Sequence, residues 1–210
     1  MEERRSPEGK KMVNAPNLML FRKWDYSQVE VKDPGLQRVI SLNPVIIPTS
    51  MGRHEHKKFG KSHVNIVERL ANSIMHFGKK HAKNTGRMGG KKQRSIKIIR
   101  GSFDIIALET GKNPIEVLVK AVENASPNED TTRIAYGGVV YHVSVDISPQ
   151  RRLDLALRFI SEGVRDAAFA SRKSVEEVLA DEIMAAARND TNGYSIKKKN
   201  EQERVAMASR

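Results

Sequence analysis

The sequence predicts a mainly α-helical fold, a bundle of about five or six helices from which a two-stranded antiparallel β-hairpin arm protrudes. Three observations carry that expectation. Apolar residues recur at three- and four-residue spacing in five windows between positions 64 and 186, most of them bounded by a cap or a breaker. One window, about residues 131–147, alternates with period two instead, and Gly137-Gly138 divides it as a two-residue hairpin loop requires.

Taken in chain order, residues 1–60 have little apolar periodicity and are punctuated by Pro7, Pro16, Pro34, Pro44 and Pro48. They are expected to be an extension that wraps or threads, with a short ordered piece around residues 18–24. Val64, Val67, Leu70, Ala71 and Ile74 then build one face of a first helix that ends before Gly78. Residues 79–94 are almost all Lys, Arg, Gly, Asn and His; they cannot bury themselves and should form a basic loop. A second helix is expected over 95–109, with Ile98, Ile99, Ile105 and Ile106 inward, stopping at Thr110-Gly111. The third opens with Asn113 as N-cap, Pro114 at N1 and Glu116 at N3, and runs to about Asn124 before Pro127.

In the arm, Tyr141, Val143, Val145 and Ile147 alternate with His142, Ser144 and Asp146. Two strands alone do not make a stable sheet, so the hairpin either leans on helices or projects toward a partner. Ser148-Pro149 restarts the helical signal, and Leu153, Ala156, Leu157, Ile160 and Val164 give a fourth helix. A capping box at Ser174 and Glu177 opens a fifth, packing through Val175, Leu179, Ile183 and Ala186. Beyond Lys197-Lys198-Lys199 a largely polar helical stretch reaches Arg210. The expected organisation is therefore an extended N-terminal extension, 1–60, and a helical domain, 61–210, that carries the hairpin arm.

Charge points to a polyanion. The net charge is +12, and residues 51–100 alone hold 14 Lys and Arg against only Glu55 and Glu68, while the rest of the chain is nearly balanced. Clustering of this kind is a footprint on phosphate rather than a generic charged surface. No cysteine is present, which removes disulfides, thiolate nucleophiles and the common zinc sites. Residues 1–11 alternate charges without a signal-like apolar run, and no segment approaches a membrane span, so a soluble, unexported, cytoplasmic chain is expected.

Enzyme motifs fail on their own chemistry. The run Gly86-Arg87-Met88-Gly89-Gly90-Lys91-Lys92 invites a phosphate-loop reading, but Thr85 stands where the first Gly is needed and Lys92 replaces the magnesium-binding Ser or Thr. His54 and His56 lack further ligands at metal-site spacing. Glu176, Glu177, Asp181 and Glu182 are explained by capping and dipole complementation. No catalytic residue, cofactor, metal or small-molecule substrate is expected.

The candidate RNA contacts are Arg53, Lys57, Lys58 and Lys61 before the first helix, and Lys79, Lys80, Lys83, Arg87, Lys91, Lys92 and Arg94 after it, so that both ends of that helix are basic. Arg151 and Arg152 open the fourth helix, where cations oppose the helix dipole unless an external anion is bound. The Lys197, Lys198 and Lys199 cluster joins them. On the arm, Arg133, Tyr136 and Tyr141 offer guanidinium and aromatic surface for unpaired bases, although the tyrosines would equally pack on Val139 and Val143.

The order of several motifs resembles the ribosomal small-subunit protein seven family. They are Asn72-Ser73-Ile74-Met75-His76-Phe77-Gly78-Lys79-Lys80, Thr110-Gly111-Lys112-Asn113-Pro114, Lys120-Ala121-Val122-Glu123-Asn124, Gly137-Gly138 followed by Tyr141, Ser148-Pro149-Gln150-Arg151-Arg152, and Tyr194-Ser195-Ile196-Lys197-Lys198-Lys199. Leu20-Phe21-Arg22-Lys23-Trp24 and Asp130-Thr131-Thr132-Arg133-Ile134 look like its archaeal and eukaryotic branch. The resemblance implies a protein that binds the 3′ major domain of small-subunit rRNA early in head assembly. It implies a position beside head and platform proteins near the tRNA exit site, with the arm close to E-site tRNA and mRNA. Two departures stand out. Bacterial members are more basic where this chain has Ile134, Ala135 and Tyr136, and their counterpart of the 83–94 loop is shorter.

The alternative function is a DNA-binding regulator using the fourth and fifth helices as a helix-turn-helix. It is disfavoured because the fifth helix would present Glu176, Glu177, Asp181 and Glu182 to phosphate.

Overall fold

The computed structural model describes residues 18–76 and 88–210. Seven helices and one hairpin follow in order: α1 Pro34–Gln37, a 3-10 turn Gly60–His63, α2 Ile66–Ile74, α3 Lys92–Thr110, α4 Pro114–Ala125, β1 Glu129–Tyr136, β2 Val139–Asp146, α5 Pro149–Ala168, α6 Val175–Ala187 and α7 Tyr194–Ala208. This is the mainly α bundle with a β-hairpin that the sequence predicts.

The packing centre is α6, which contacts α3, α4, α5 and α7. Contact on so many sides explains why Val178, Leu179, Ala180, Ile183, Met184, Ala186 and Ala187 are all buried, a wider apolar surface than a single stripe. Val175, expected in the core, is only half-buried at the first turn. In α3 the inward face is Ile96, Ile98, Ile99, Phe103 and Ile106, and Phe103 is the largest side chain there, whereas Ile105 lies at the margin.

Residues 18–59 thread along the bundle and feed its core. Leu20, Tyr26, Val29, Leu36 and Ile40 are buried in the same cluster as the helices. The 18–24 piece turns back on itself through Leu20 N–H donating to Trp24 O at 2.7 Å, and Trp24 packs edge-on against Phe103 with ring centroids 5.6 Å apart. Asn65 ties this segment to α2. Its Oδ1 accepts from Val67 N–H at 2.9 Å as the N-cap, while its Nδ2 donates to Asn43 O at 2.8 Å and to the Tyr26 hydroxyl at 3.1 Å. Burial pushes the Tyr26 hydroxyl up to about 12, against a lowering contribution from that hydrogen bond.

The hairpin projects. β1 pairs β2 from Glu129 opposite Asp146 to Tyr136 opposite Val139, and Gly137 and Gly138 turn with φ of 59° and 84°, a pair of left-handed residues that glycine adopts without a Cβ clash. Ile134, Tyr136, Val139, Val140 and Tyr141 are all exposed at its distal end. Among the described residues its base leans on α7 and the residues that follow it: Asn128 N–H donates to Glu203 Oε1 at 3.0 Å, Ser144 N–H to Ser209 O at 3.3 Å, and the Arg210 guanidinium bonds Glu129.

The second helix begins earlier than periodicity implies. Lys92 and Arg94 belong to the first turn of α3 and not to a loop, because Gly90 (φ 72°) closes the turn and Ser95 N–H already donates to Lys91 O at 3.2 Å. The first helix, in turn, ends at Ile74 rather than just before Gly78, with Met75 as its C-cap.

Candidate nucleic-acid interface

The start of each helix distinguishes two of them. In α2, α4 and α6 the caps Asn65, Asn113 and Ser174 accept backbone hydrogen bonds, and Glu68, Glu116 and Glu176 with Glu177 place acid in the first turn. The α7 start is capped from outside, since Glu182 accepts from Ser195 N–H at 2.8 Å and from Ser195 Oγ at 2.7 Å. This gives Glu182 a structural role across two helices, beyond the dipole of its own. By contrast α3 and α5 begin without a side-chain cap and without a first-turn acid. Both carry cations there instead: Lys92 and Arg94 behind Lys91, and Arg151 with Arg152. Such a start holds unsatisfied N–H groups and repels its own side chains unless an anion is nearby.

Both helix starts open onto joined clefts. One, of about 800 Å³, is lined by Lys57, Lys61 and His54 from before α2, by His76 from after it, and by Gly89, Gly90 and Lys92. The two basic segments that flank α2 in sequence thus meet in space. The second cleft, of about 730 Å³, shares Phe59 and Gln150 with the first and adds Arg38, Arg151 and Arg158.

Glu68 holds the first cleft together. It is buried and accepts from Ser50 N–H and Ser50 Oγ, each at 2.8 Å, and from the Lys92 ammonium. Burial alone would raise its pKa, but the bonds from Lys92 and Ser50 outweigh burial and lower it. Asp154 plays the same part on α5, bonding Lys61 Nζ and Arg69 at 2.8 Å each. Burial opposes and these two cations outweigh it, so its pKa also falls.

The expected contacts therefore divide. Lys57, which lines the first cleft, and Arg53, Lys58, Lys91 and Arg94, close in sequence to its lining residues, are exposed, with no ion pair among the described residues. Lys61 and Lys92 are present at the cleft but tethered by Asp154 and Glu68. Arg151 is 63% exposed in its side chain and pairs with Asp130 at 3.0 Å, a bond it can exchange at the surface. Arg152 differs: only 13% exposed, it donates to Asp33 Oδ2 at 2.7 Å, Ser126 Oγ at 3.2 Å and Pro127 O at 3.3 Å. Its guanidinium joins three segments of the fold. Of the lysine cluster, Lys197 is exposed, Lys198 pairs with Glu201 at 2.6 Å, and Lys199 donates to Asn124 O at 2.9 Å. Arg133 and Tyr141 are exposed on the arm, well along the strands from its base. Lys79, Lys80, Lys83 and Arg87 lie outside the described residues.

Sequence reasoning passed over Arg38, Phe59, His76 and Arg158. Arg38 and Arg158 sit in regions of balanced charge, so no cluster marks them. Phe59 shows a signal in retrospect, an aromatic residue between Lys58 and Lys61 with no apolar partner at helical spacing. Among the described residues no group of three or more His, Cys, Asp or Glu is placed to hold a metal, and no helix is long and apolar enough to cross a membrane.

Comparison with known proteins places the geometry in a family context. The family described as ribosomal protein S7p/S5e matches residues 36–210. The small ribosomal subunit protein uS7 of Cenarchaeum symbiosum is 62% identical over 199 residues, covering 95% of this chain and 100% of that protein. The uS7 proteins of Methanothermobacter thermautotrophicus and Methanosphaera stadtmanae are 50% and 47% identical, covering 91% and 92% of this chain and 98% and 99% of their own lengths.

Proposed function

Since this chain belongs to the ribosomal protein S7p/S5e family, a structural and non-enzymatic component of the small ribosomal subunit, we propose that it grips the 3′ major domain of the subunit's rRNA and nucleates assembly of the head. In this reading residues 61–210 are the main RNA-holding unit, and the described part of the 1–60 extension, residues 18–60, is laid against it and adds Arg53, Lys57 and Lys58. The supporting observation is the pair of uncapped, cationic helix starts of α3 and α5 opening onto adjoining clefts, in a bundle whose other long helices are capped by its own Asn, Ser or Glu side chains. Arg53, Lys57, Lys58, Lys91, Arg94, Arg151 and Lys197 contact phosphate directly. Lys61 and Lys92 supply fixed positive potential, while Arg152 and Lys199 stiffen the frame. Lys79, Lys80, Lys83 and Arg87 join the phosphate contacts on charge alone. Phosphate contacts set position and RNA shape sets specificity.

The arm lies outside this grip. Its distal half carries exposed Ile134, Tyr136, Val139 and Tyr141 with Arg133 as its basic residue, a surface for neighbouring head or platform proteins and for E-site tRNA and mRNA near the tRNA exit site. The test is a salt titration of binding to a 3′ major domain fragment against an unrelated RNA of equal length. Selective binding that weakens with salt but keeps its preference is expected. Equal binding to both RNAs would refute the assignment to that domain.

A further inference from the structure

From the second cleft we infer a site for an unpaired nucleobase, with the Phe59 ring as its stacking platform; the inference rests on the rRNA-binding reading above. Phe59 is 66% exposed and belongs to no part of the hydrophobic core. It nevertheless adopts a left-handed backbone, φ 60° and ψ 10°, which is uncommon for a bulky aromatic residue and has no compensation from burial of the ring. The turn that presents it is firmly built. Gly60 N–H donates to Lys57 O at 2.9 Å, and Ser62 Oγ donates to Phe59 O at 2.8 Å. A Cβ at Gly60 would stand 2.4 Å from His54 O, so the close approach behind the ring demands glycine. The ring is thus held outward on a rigid support at the wall between the two clefts.

Its surroundings select the occupant. Lys58 Nζ lies 5.6 Å from the ring centroid, and Lys57 and Lys61 flank the same turn. The recess is also lined by Val39, Pro149 and Leu155, by Asp154, whose charge Lys61 and Arg69 neutralise, and by a guanidinium rim of Arg38, Arg151 and Arg158, the last two held in surface pairs with Asp130 and Glu162. Apolar side chains, an exposed π-face and a cationic rim fit a nucleotide whose base leaves the helical stack: the base lies on the ring, and the flanking phosphates meet Arg38 and draw Arg151 and Arg158 from their surface pairs. The rim charge disfavours a purely apolar protein segment. Gln150 lines both clefts and is placed to read a base edge with its amide.

The experiment uses the full chain and the 3′ major domain fragment, with Phe59→Ala, Phe59→Leu and Phe59→Trp and an Arg38→Ala control. Stacking predicts that Phe59→Ala and Phe59→Leu both lose affinity, by about 5- to 150-fold, without changing the salt slope. Phe59→Trp keeps the affinity, and its added indole emission is quenched by the fragment relative to the natural protein. Arg38→Ala lowers the salt slope by about one. Unchanged affinity in the alanine and leucine variants, with no quenching in Phe59→Trp, overturns the nucleobase site while leaving rRNA binding intact. Loss in Phe59→Ala with full retention in Phe59→Leu also overturns it, because an apolar protein-like contact would then suffice. Should Phe59→Ala misfold, the quenching of Phe59→Trp and the slope of Arg38→Ala decide. A natural protein that does not prefer the fragment overturns both the site and the reading on which it rests.

Discussion

Replacing Glu68 by Gln keeps the shape of the side chain and removes its charge, at an acid that joins the segments on either side of α2. The natural carboxylate takes two bonds from Ser50 at 2.8 Å and one from Lys92. A glutamine Oε1 can still accept from Ser50, so the loss concentrates in the bond to the ammonium. Bonds to charged groups contribute about 1.5–3 kcal/mol. Removing one partner of a fully buried pair costs about 3–5 kcal/mol, but Lys92 keeps a quarter of its side chain exposed and regains some water. A destabilisation of about 2 kcal/mol follows, which for a chain of this length lowers Tm by roughly 4–8 °C. The pH dependence supplies the control. Because the folded pKa of Glu68 lies below its ordinary value of 4.5, its contribution is fully present above 4.5 and disappears as pH falls through the folded value. Thermal melts of the natural chain and Glu68→Gln should therefore differ at pH 7 and converge at low pH. Equal melting at pH 7, or a gap that persists unchanged in acid, would refute the role assigned to this carboxylate.

Further outcomes follow from the division between supporting and exposed cations. Arg152→Ala should cost about 2–4 kcal/mol in denaturant unfolding, with no rescue by Arg152→Lys, because three acceptors in different directions need the planar fork. Arg151→Ala should cost no more than about 1 kcal/mol, since the arginine is exposed and the half-buried Asp130 keeps its bonds from Thr131 N–H and Gln202, while lowering the salt slope of RNA binding by about one. Replacing residues 132–143 by Gly-Gly joins Thr131 to Ser144, which face each other in the natural register, and should spare both melting temperature and affinity for the rRNA fragment. A loss of RNA binding on arm removal, with none in Lys91→Glu, would reverse the proposed roles of arm and cleft. Ser174→Ala, which removes half of the α6 capping box, should destabilise by about 1 kcal/mol in the same unfolding assay.

How far the fold and the candidate site were legible depends on the range of the interactions involved. Asn113 with Pro114, the Ser174 capping box, the Gly137-Gly138 turn and the strand β2 are read correctly because each is decided by residues within a few positions of one another, although the alternation in β2 marks no buried face. The same holds for the inward face of α5, whose spacing is the helical period itself. The excess of positive charge flanking α2 is also a property of composition, and it marks the two segments that meet at the first cleft.

Which of those cations remain available to a ligand is a different matter. Lys92 meets Glu68 across 24 positions, Arg69 meets Asp154 across 85, and Arg152 meets Asp33 across 119. No period or cap encodes such pairs; chain topology brings them together, and only then does a lysine or arginine become either a strut or an open contact. Arg151 and Arg152 are adjacent, identical in type and indistinguishable by sequence, yet one points to solvent and the other ties three segments together. Composition thus determined by itself that positive charge gathers in the segments on either side of α2. Tertiary structure decided which of those side chains are free to meet a ligand, because burial and long-range charge pairing, not local pattern, set whether a charge is satisfied at home.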